Sequence, residues 1–572
     1  KFLIIYFEGQ LYDITPLKTT LSSCTIATTN NSAVCSITKA SHGLSAGDIV
    51  LLDNVTLPVG TGYANSDFED KLFQVTSITS SSVFTITQSS NATATVSTGG
   101  SLEVKPYEQV GPAEQSYGYG WGIDTWGSGA WGEAASASDV SLEPGLWSLS
   151  NFGQVLVATI ANGKTFTWDA GIAARLTTRA STTTSGFSTS ANPTATRITL
   201  VSPTTRHLIH LGTETIIGDT TSQDDMFIRF SDQEDINDYT PTAINSAGTQ
   251  RLQDGTRIMG SLKAKETILV WTDNALYTMK FIGSPFTFGF EQVGTNCGLI
   301  GKNAAIEIDG AAFWMSNNGF FMFDGTVKSL PCSVEDYVYD QADTTKGQQI
   351  YAGINNLYTE VVWYYPSTSS DYNDQYVVFN YGEPMKGGVW YIGTEARTSW
   401  IDASVYPKPS ATKFNDSAVG TFPVIVGEDG LGQTTLFEHE VGTDQVNPDG
   451  STTTVTSFIK SFDFDLQAKQ KDAQGKSSGP TISGEVFLSM RRFVPDFKDL
   501  QGNAKVTLAV KRYPQQSDTV TSLSPFTINS STDKKDTRAR GRFVNIKIEN
   551  TDVSESWRFG TLRIDVQPDG RR

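Results

Sequence analysis

The sequence predicts an all-β protein: a β-propeller of about six to eight blades, with a small β-barrel or sandwich inserted near its start and an antiparallel β-sandwich at its end. Three observations lead there. Apolar segments are short, alternating or β-branched, and are bounded by Gly, Asn, Asp or Ser, as strands and turns are. Helical periodicity is almost missing. One unit recurs: a hydrophobic strand, a polar turn that often holds Gly, then a second strand rich in Phe, Tyr or Trp.

The recurrence starts at once, in LIIYFEGQLYDI (Leu3–Ile14). Residues 1–18 read as the first propeller hairpin. The chain opens inside a strand and without Met, so a segment is expected to precede Lys1. Residues 19–104 look different. Short strands follow one another (SCTIAT, AVCSITKA, DIVLLDNV, KLFQVTSI, VFTITQ), with the glycine-bearing loop SHGLSAGD between two of them. With hairpins of the recurring kind on both sides, this segment reads as a small β-domain inserted into the first blade.

Residues 105–450 carry the remaining copies. They appear at Val155–Asp169, Arg206–Gln233, Thr267–Phe281, Ala311–Gly325, Glu360–Tyr381 and Pro423–His439. An isolated hairpin is only marginally stable, and radial stacking of such sheets buries both faces. The spacing is irregular, so insertions must decorate the blades. A set of unrelated hairpins in several sandwiches is the alternative. Within this region residues 117–133 (YGYGWGIDTWGSGAWGE) place Trp121, Trp126 and Trp131 five apart, each followed by Gly. Five is neither a strand nor a helix period. These indoles are candidates either to plug a neighbouring subunit or to fill the propeller's own core. One short helix is expected over Ser333–Asp343, with Ser333 as its cap and Asp336 in a box-like position.

From residue 451 to 572 the strands become regular. KVTLAVKRY and FVNIKIEN alternate apolar and charged residues, the mark of a half-buried antiparallel sandwich. This is also the most basic region, and Arg491, Arg492, Arg538, Arg540 and Arg542 form a candidate basic patch, with Lys511, Arg512, Arg571 and Arg572 in the same region. Such a patch would touch DNA or an acidic neighbour; plain charges on the wet face of a strand are the simpler reading.

The charge balance limits the partners. A net charge of −18 and a pI near 4.7 do not suit gripping nucleic acid, which needs clustered Lys and Arg. An acidic surface would instead let DNA slide past without sticking, or simply keep the protein soluble. Four cysteines, Cys24, Cys35, Cys297 and Cys332, without a CxxC pair argue against a disulfide scaffold or a structural zinc site. Cys24 and Cys35 flank a turn-like TTNNSA and read as small buried apolar residues. No run approaches the ~18 apolar residues of a membrane helix.

The chemistry of catalysis is hard to find. The four histidines are His42, His207, His210 and His439. His207 and His210 lie three apart on an expected strand and so face opposite ways; His42 is expected to make a structural hydrogen bond. GxSxG, HExxH, Walker and EF-hand patterns are missing. Asp232, Glu234, Asp235 and Asp238 make an acidic cluster able in principle to hold Ca²⁺, but it matches no calcium loop. The expectation is a non-enzyme with no catalytic residues, no metal and no cofactor.

Several segments together resemble one family. They are KFLIIYFEGQLYDITPL, SHGLSAGD, YGYGWGIDTWGSGAWG leading to WSLSNFGQVLVATIANGKTFTWD, IRFSDQEDINDYTPTAINSAGTQRL, ETILVWTDNALYTMKF, CGLIGKNAAIEIDGAAFWMSNNGFFMFDG, RARGRFVNIKIEN and WRFGTLRIDVQPDGRR. In this order they look like the tail nozzle proteins of podoviruses, the short-tailed bacteriophages, also called stabilisation or tail tube proteins. The likeness runs through most of the chain and is least over residues 340–449. It implies a propeller with appended β-domains, six copies of which form a ring at the distal end of the tail. It implies as partners the adaptor and portal-proximal proteins, tail fibre or needle/plug proteins, and viral DNA passing through the lumen without sequence-specific binding. It implies a place in the virion tail, with assembly in the bacterial cytoplasm, and no catalytic residues. Two other readings compete. A carbohydrate- or receptor-binding tail protein would be a trimer with an aromatic-lined groove. A propeller glycoside hydrolase would hold two carboxylates within reach of each other.

Overall fold

The computed structural model describes residues 2–7, 10–111, 143–182, 191–382, 388–401, 424–428, 434–439, 442–447, 450–465, 468–471, 477–482, 486–513 and 521–570. The protein is all-β. Two compact units divide it, Lys1–His439 and Glu440–Arg572.

The first unit opens on the expected hairpin, Ile4–Phe7 paired with Gln10–Asp13. The chain then enters a closed barrel of six antiparallel strands spanning Leu21–Pro106. Every second side chain points inward, and the barrel fills with Ile26, Ile37, Val50, Leu52, Phe68, Phe84, Ile86 and Val104. Closure removes the free edges that a small sheet would expose. Its entry and exit run side by side: Lys18 N–H donates to Pro106 O (2.8 Å) and Glu108 N–H to Pro16 O (2.9 Å). That is the geometry of an insertion, since the parent chain resumes where it left off. A charged node seals the neck. Arg179 donates to Asp13 Oδ2 (2.9 Å) and to the Tyr107 hydroxyl (2.8 Å), which itself donates to Asp13 Oδ2 (2.6 Å).

Cys24 and Cys35 are both fully buried in the barrel, and neither forms a disulfide. They do not face one another: Cys35 lies opposite Thr28, and Cys24 opposite Leu102. Burial pushes the Cys35 thiol up to about 11, so it packs as a neutral apolar group.

Among the described residues of the first unit, six antiparallel sheets follow the barrel in chain order. The first has three strands, from Trp147–Phe152 through Val155–Ile160 to Thr165–Asp169. The next four have four strands each, starting at Thr196–Val201, Ile258–Lys263, Ala305–Ile308 and Tyr351–Asn355. The sixth joins Ser399–Ile401, Val424–Glu428 and Thr434–Glu438. In every sheet the recurring hairpin of the sequence supplies the second and third strands. The first strands of successive sheets lie beside one another. Between sheets, large side chains fill the gaps: Trp271 meets Trp314 with ring centroids 5.4 Å apart, and Phe320 meets Trp363 at 5.1 Å. Gly353 leaves the space in which the Trp400 ring lies against its strand; a Cβ there would come within 2.3 Å of that ring.

The expected helix exists over Glu335–Gln341, but Ser333 does not cap it. Val334 occupies the cap position, and no side chain satisfies the first amides. Asp343 instead caps the following 3-10 turn, accepting from Thr345 N–H (3.1 Å).

The second unit is a sandwich. One sheet orders Phe458–Lys460, Phe543–Glu549 and Ala504–Lys511, with Thr521–Ser522 and Phe526–Ile528 both along the far side of Ala504–Lys511. The other orders Lys535–Gly541, Leu488–Val494 and Arg563–Pro568. Leu488, Met490, Phe493, Val506, Leu508, Val544 and Ile548 form its core. Met490 and Phe493 are three apart yet both point inward, because a bulge between Met490 and Arg492 absorbs one residue.

Candidate functional site

The most unusual chemistry of the first unit lies where the first strands meet. Thr196–Val201 is buried along its whole length, polar residues included. Its Thr199 hydroxyl donates to that of Thr159 (2.5 Å), which bonds Thr165 (2.9 Å). Val201 N–H donates to Ser150 Oγ (3.0 Å), and so does the Lys263 ammonium (2.8 Å) from the third sheet. Lys302, on the way into the fourth sheet, donates to Trp147 O (2.8 Å) and Ser148 Oγ (2.6 Å). The first strand of the first sheet is thus bonded directly to the second and third sheets and to the lead-in of the fourth. Burial of the Lys302 amine without a carboxylate lowers its pKa to about 7, and burial lowers Lys263 as well. A second knot lies nearby. Glu143 accepts from Arg197 (2.7 Å) and also from Arg257 at very short range.

His207, Ser246 and Asp232 come together in a manner that superficially suggests a hydrolytic triad. The order of bonds speaks against it. His207 Nε2 reaches Ser246 Oγ at 3.0 Å, but that hydroxyl donates to Asp232 and also accepts from Gln233 N–H (3.0 Å). In a triad the carboxylate orients the histidine and leaves the hydroxyl proton for the imidazole. Here the other ring nitrogen faces Thr205 (2.7 Å), His207 is fully buried, and burial lowers its pKa. His210 bonds the Tyr239 hydroxyl (3.0 Å), and burial beside Arg229 brings it down to about 3. The two histidines share no partner, as their spacing required. His42 accepts from Leu44 N–H (3.0 Å) and bonds Ser80 O (3.0 Å), the structural role expected of it.

The acidic cluster is spent on turns and a salt bridge. Asp232 takes Ser246 and Gln233 N–H; Asp235 takes Asn237 N–H (2.8 Å); Asp238 takes Thr240 N–H and Asn245; Glu234 pairs with Arg206 (2.9 Å). Among the described residues a different set, Asp53, Glu69 and Asp70 in the barrel, is the one that gathers three carboxylates within 4.8 Å. Lys105 bonds Asp53, and the backbone amides of Asn54 and Val55 take Glu69 (3.1 and 2.7 Å).

In the second unit Arg491, Arg492, Arg538 and Arg540 share one sheet, Arg542 follows just beyond it, and the five do not share one role. Arg492 pairs with Asp536 (2.7 Å) and Arg540 with Asp569 (2.5 Å). Arg542 lies over the rings of Phe487 (5.2 Å) and Tyr513 (5.5 Å). Arg491 is the exposed residue of the bulge, and Arg538 lines a concavity of about 360 Å³ with Leu523, Phe526 and Thr537. Among the described residues two of the five are thus answered by carboxylates. Lys511 pairs with Asp463 (2.7 Å). Trp121, Trp126 and Trp131, with Arg571 and Arg572, lie outside the described residues.

No family model and no curated protein matches the sequence. Solved structures align at low identity. Kluyveromyces lactis Hsv2 is 11% identical, over 51% of this chain and 72% of its own, with a TM-score of 0.26. The phage phi92 endosialidase is 10% identical, over 91% and 72%, with a TM-score of 0.17. An exo-beta-1,3-galactanase from Phanerochaete chrysosporium is 7% identical, over 75% and 97%, with a TM-score of 0.22. At such scores these likenesses decide nothing about architecture or chemistry.

Proposed function

We propose that this chain is a structural, non-catalytic subunit of a phage tail nozzle, built on a β-propeller and assembled as a ring of about six copies, a closed form that repeated head-to-tail contacts allow. The observation that carries the propeller is the bonding of one strand, Trp147–Phe152, to the second and third sheets and to Lys302 ahead of the fourth. Strands fanned around a common line satisfy that; sheets stacked in a row do not. The centre of such a propeller is filled by Ser148, Ser150, Thr199, Lys263 and Lys302, so a DNA channel would run between copies rather than through one copy. The parts also agree with the reading: a barrel and a sandwich beside the run of sheets suit the propeller with appended β-domains that the nozzle resemblance implies.

The test is particle mass. Mass photometry and electron microscopy of the purified chain should find closed rings of about six copies. Trimers would favour a receptor-binding protein, and single copies at micromolar concentration would overturn the nozzle.

A further inference from the structure

Two opposite edges of the C-terminal sandwich are unfinished, and they complement each other. On one side Phe458–Lys460 pairs only with Phe543–Glu549, leaving its outer ladder groups unpaired among the described residues. Beside it Phe462 stands 91% exposed and Ile459 49%. Exposed apolar edges of this kind invite another chain.

On the other side the edge is broken. Thr521–Ser522 and Phe526–Ile528 both follow Ala504–Lys511, and Leu523 N–H still donates to Leu508 O (2.8 Å), but Ser524–Pro525 leaves the ladder, where Pro525 has no amide to give. The gap opens against Lys535–Gly541, the edge strand of the second sheet. Thr537 points inward and Asp536 and Arg538 outward along that strand, yet all three line the gap, which therefore lies over the strand's free edge. Its floor is Leu523 and Phe526. The Thr537 hydroxyl is buried there without a hydrogen-bond partner among the described residues, and the residue is 8% exposed. At about 360 Å³ the hollow admits a large side chain. The charges agree as well. Asp463 beside Phe462 is answered by Lys511 and Asp536 at the hollow by Arg492. That leaves Asp465 on the Phe462 side to face Arg538 at the hollow, which makes no ion pair among the described residues.

We infer that the sandwich joins to a second copy of this chain head to tail, with the Phe462 edge of one copy seated in the Leu523/Phe526 gap of the next. Because knob and hollow lie on opposite edges of one unit, the contact is heterologous. It repeats from copy to copy until it closes as a ring or runs on as a filament. This rests on the ring assembly proposed above and adds the contact that builds it.

The full-length chain tests it in two ways. Phe462→Asp should raise the concentration needed for assembly at least ~10-fold, the scale of losing one interfacial aromatic anchor. Since Phe462 is exposed, the fold should be kept, as circular dichroism will report. Separately, a Phe462→Cys chain mixed with a Leu523→Cys chain under mild oxidation should give a disulfide-linked heterodimer that neither gives alone. Three of the four native thiols are buried and would stay silent. Rings that persist in the Phe462→Asp variant, with no mixed disulfide, would overturn this contact and leave the nozzle reading standing. Wild-type chains that never associate would overturn both.

Discussion

Lys302 shows how much a single side chain reports about this fold. Its amine has two neutral acceptors and no carboxylate, so folding removes a charge from water with little return. Its pKa falls from 10.5 to about 7. Between those values the unfolded chain keeps a proton that the folded chain sheds, so stability climbs as pH rises from about 7 towards 10.5 and is lowest below it. Calorimetric melting of the wild type should show that climb, and Lys302→Met should flatten it. His210 works in the same direction further down. Its pKa drops from 6.5 to about 3, so the unfolded chain gains a proton that the fold refuses, and stability is lost as pH falls through that window. His210→Gln should reduce the acid loss between pH 6 and 4, measured as the shift in urea midpoint. Neither effect was legible in the sequence. A lysine after a glycine and a histidine in a strand look ordinary until the sheets that enclose them are known.

At the scale of elements, the hairpins were plain to read and the strands around them were not. The second and third strands are strongly apolar and mostly joined by short polar turns, the second sheet excepted, where Leu208–Thr213 and Phe227–Phe230 are separated by a 3-10 turn. First and fourth strands such as Ala305–Ile308 and Val327–Leu330 are only four residues long, too brief to show a clear alternation. The helix was placed correctly but not its cap, since Ser333 has the right chemistry one residue too early. The bulge at Arg491–Arg492 escaped for a related reason: two successive arginines between inward residues break the strict alternation of a strand. Reducing that pair to a single arginine should keep Met490 and Phe493 inward and cost ~1 kcal/mol or less, in the range of a change at an exposed site. Deleting Thr507 from the regular strand Ala504–Lys511 should turn Leu508 and Val510 outward and prevent cooperative unfolding of the sandwich, as thermal melts will show.

For the whole molecule, charge is divided unevenly. The unit from Glu440 onward holds 20 lysines and arginines against 17 carboxylates, while the preceding unit holds 23 against 44 and so carries the entire negative excess. A polyanion should therefore find no purchase on the larger unit. Duplex DNA is expected to run unretarded with the assembled chain in a gel at ~0.15 M salt, where weak phosphate contacts are screened. A retarded band that fades with salt would show a basic wall instead. The sequence by itself determined that the protein is all-β, which hairpins recur, and that a run of short strands of another kind stands near the start, because alternation, turn residues and aromatic strands are local signals. Only the tertiary structure decided what those hairpins surround and which polar groups are starved of water there. It also revealed the gap at Leu523 beside an unfinished edge. The polar centre depends on chain segments more than a hundred residues apart, whose meeting no local pattern encodes; Lys302 and Trp147 are the clearest case.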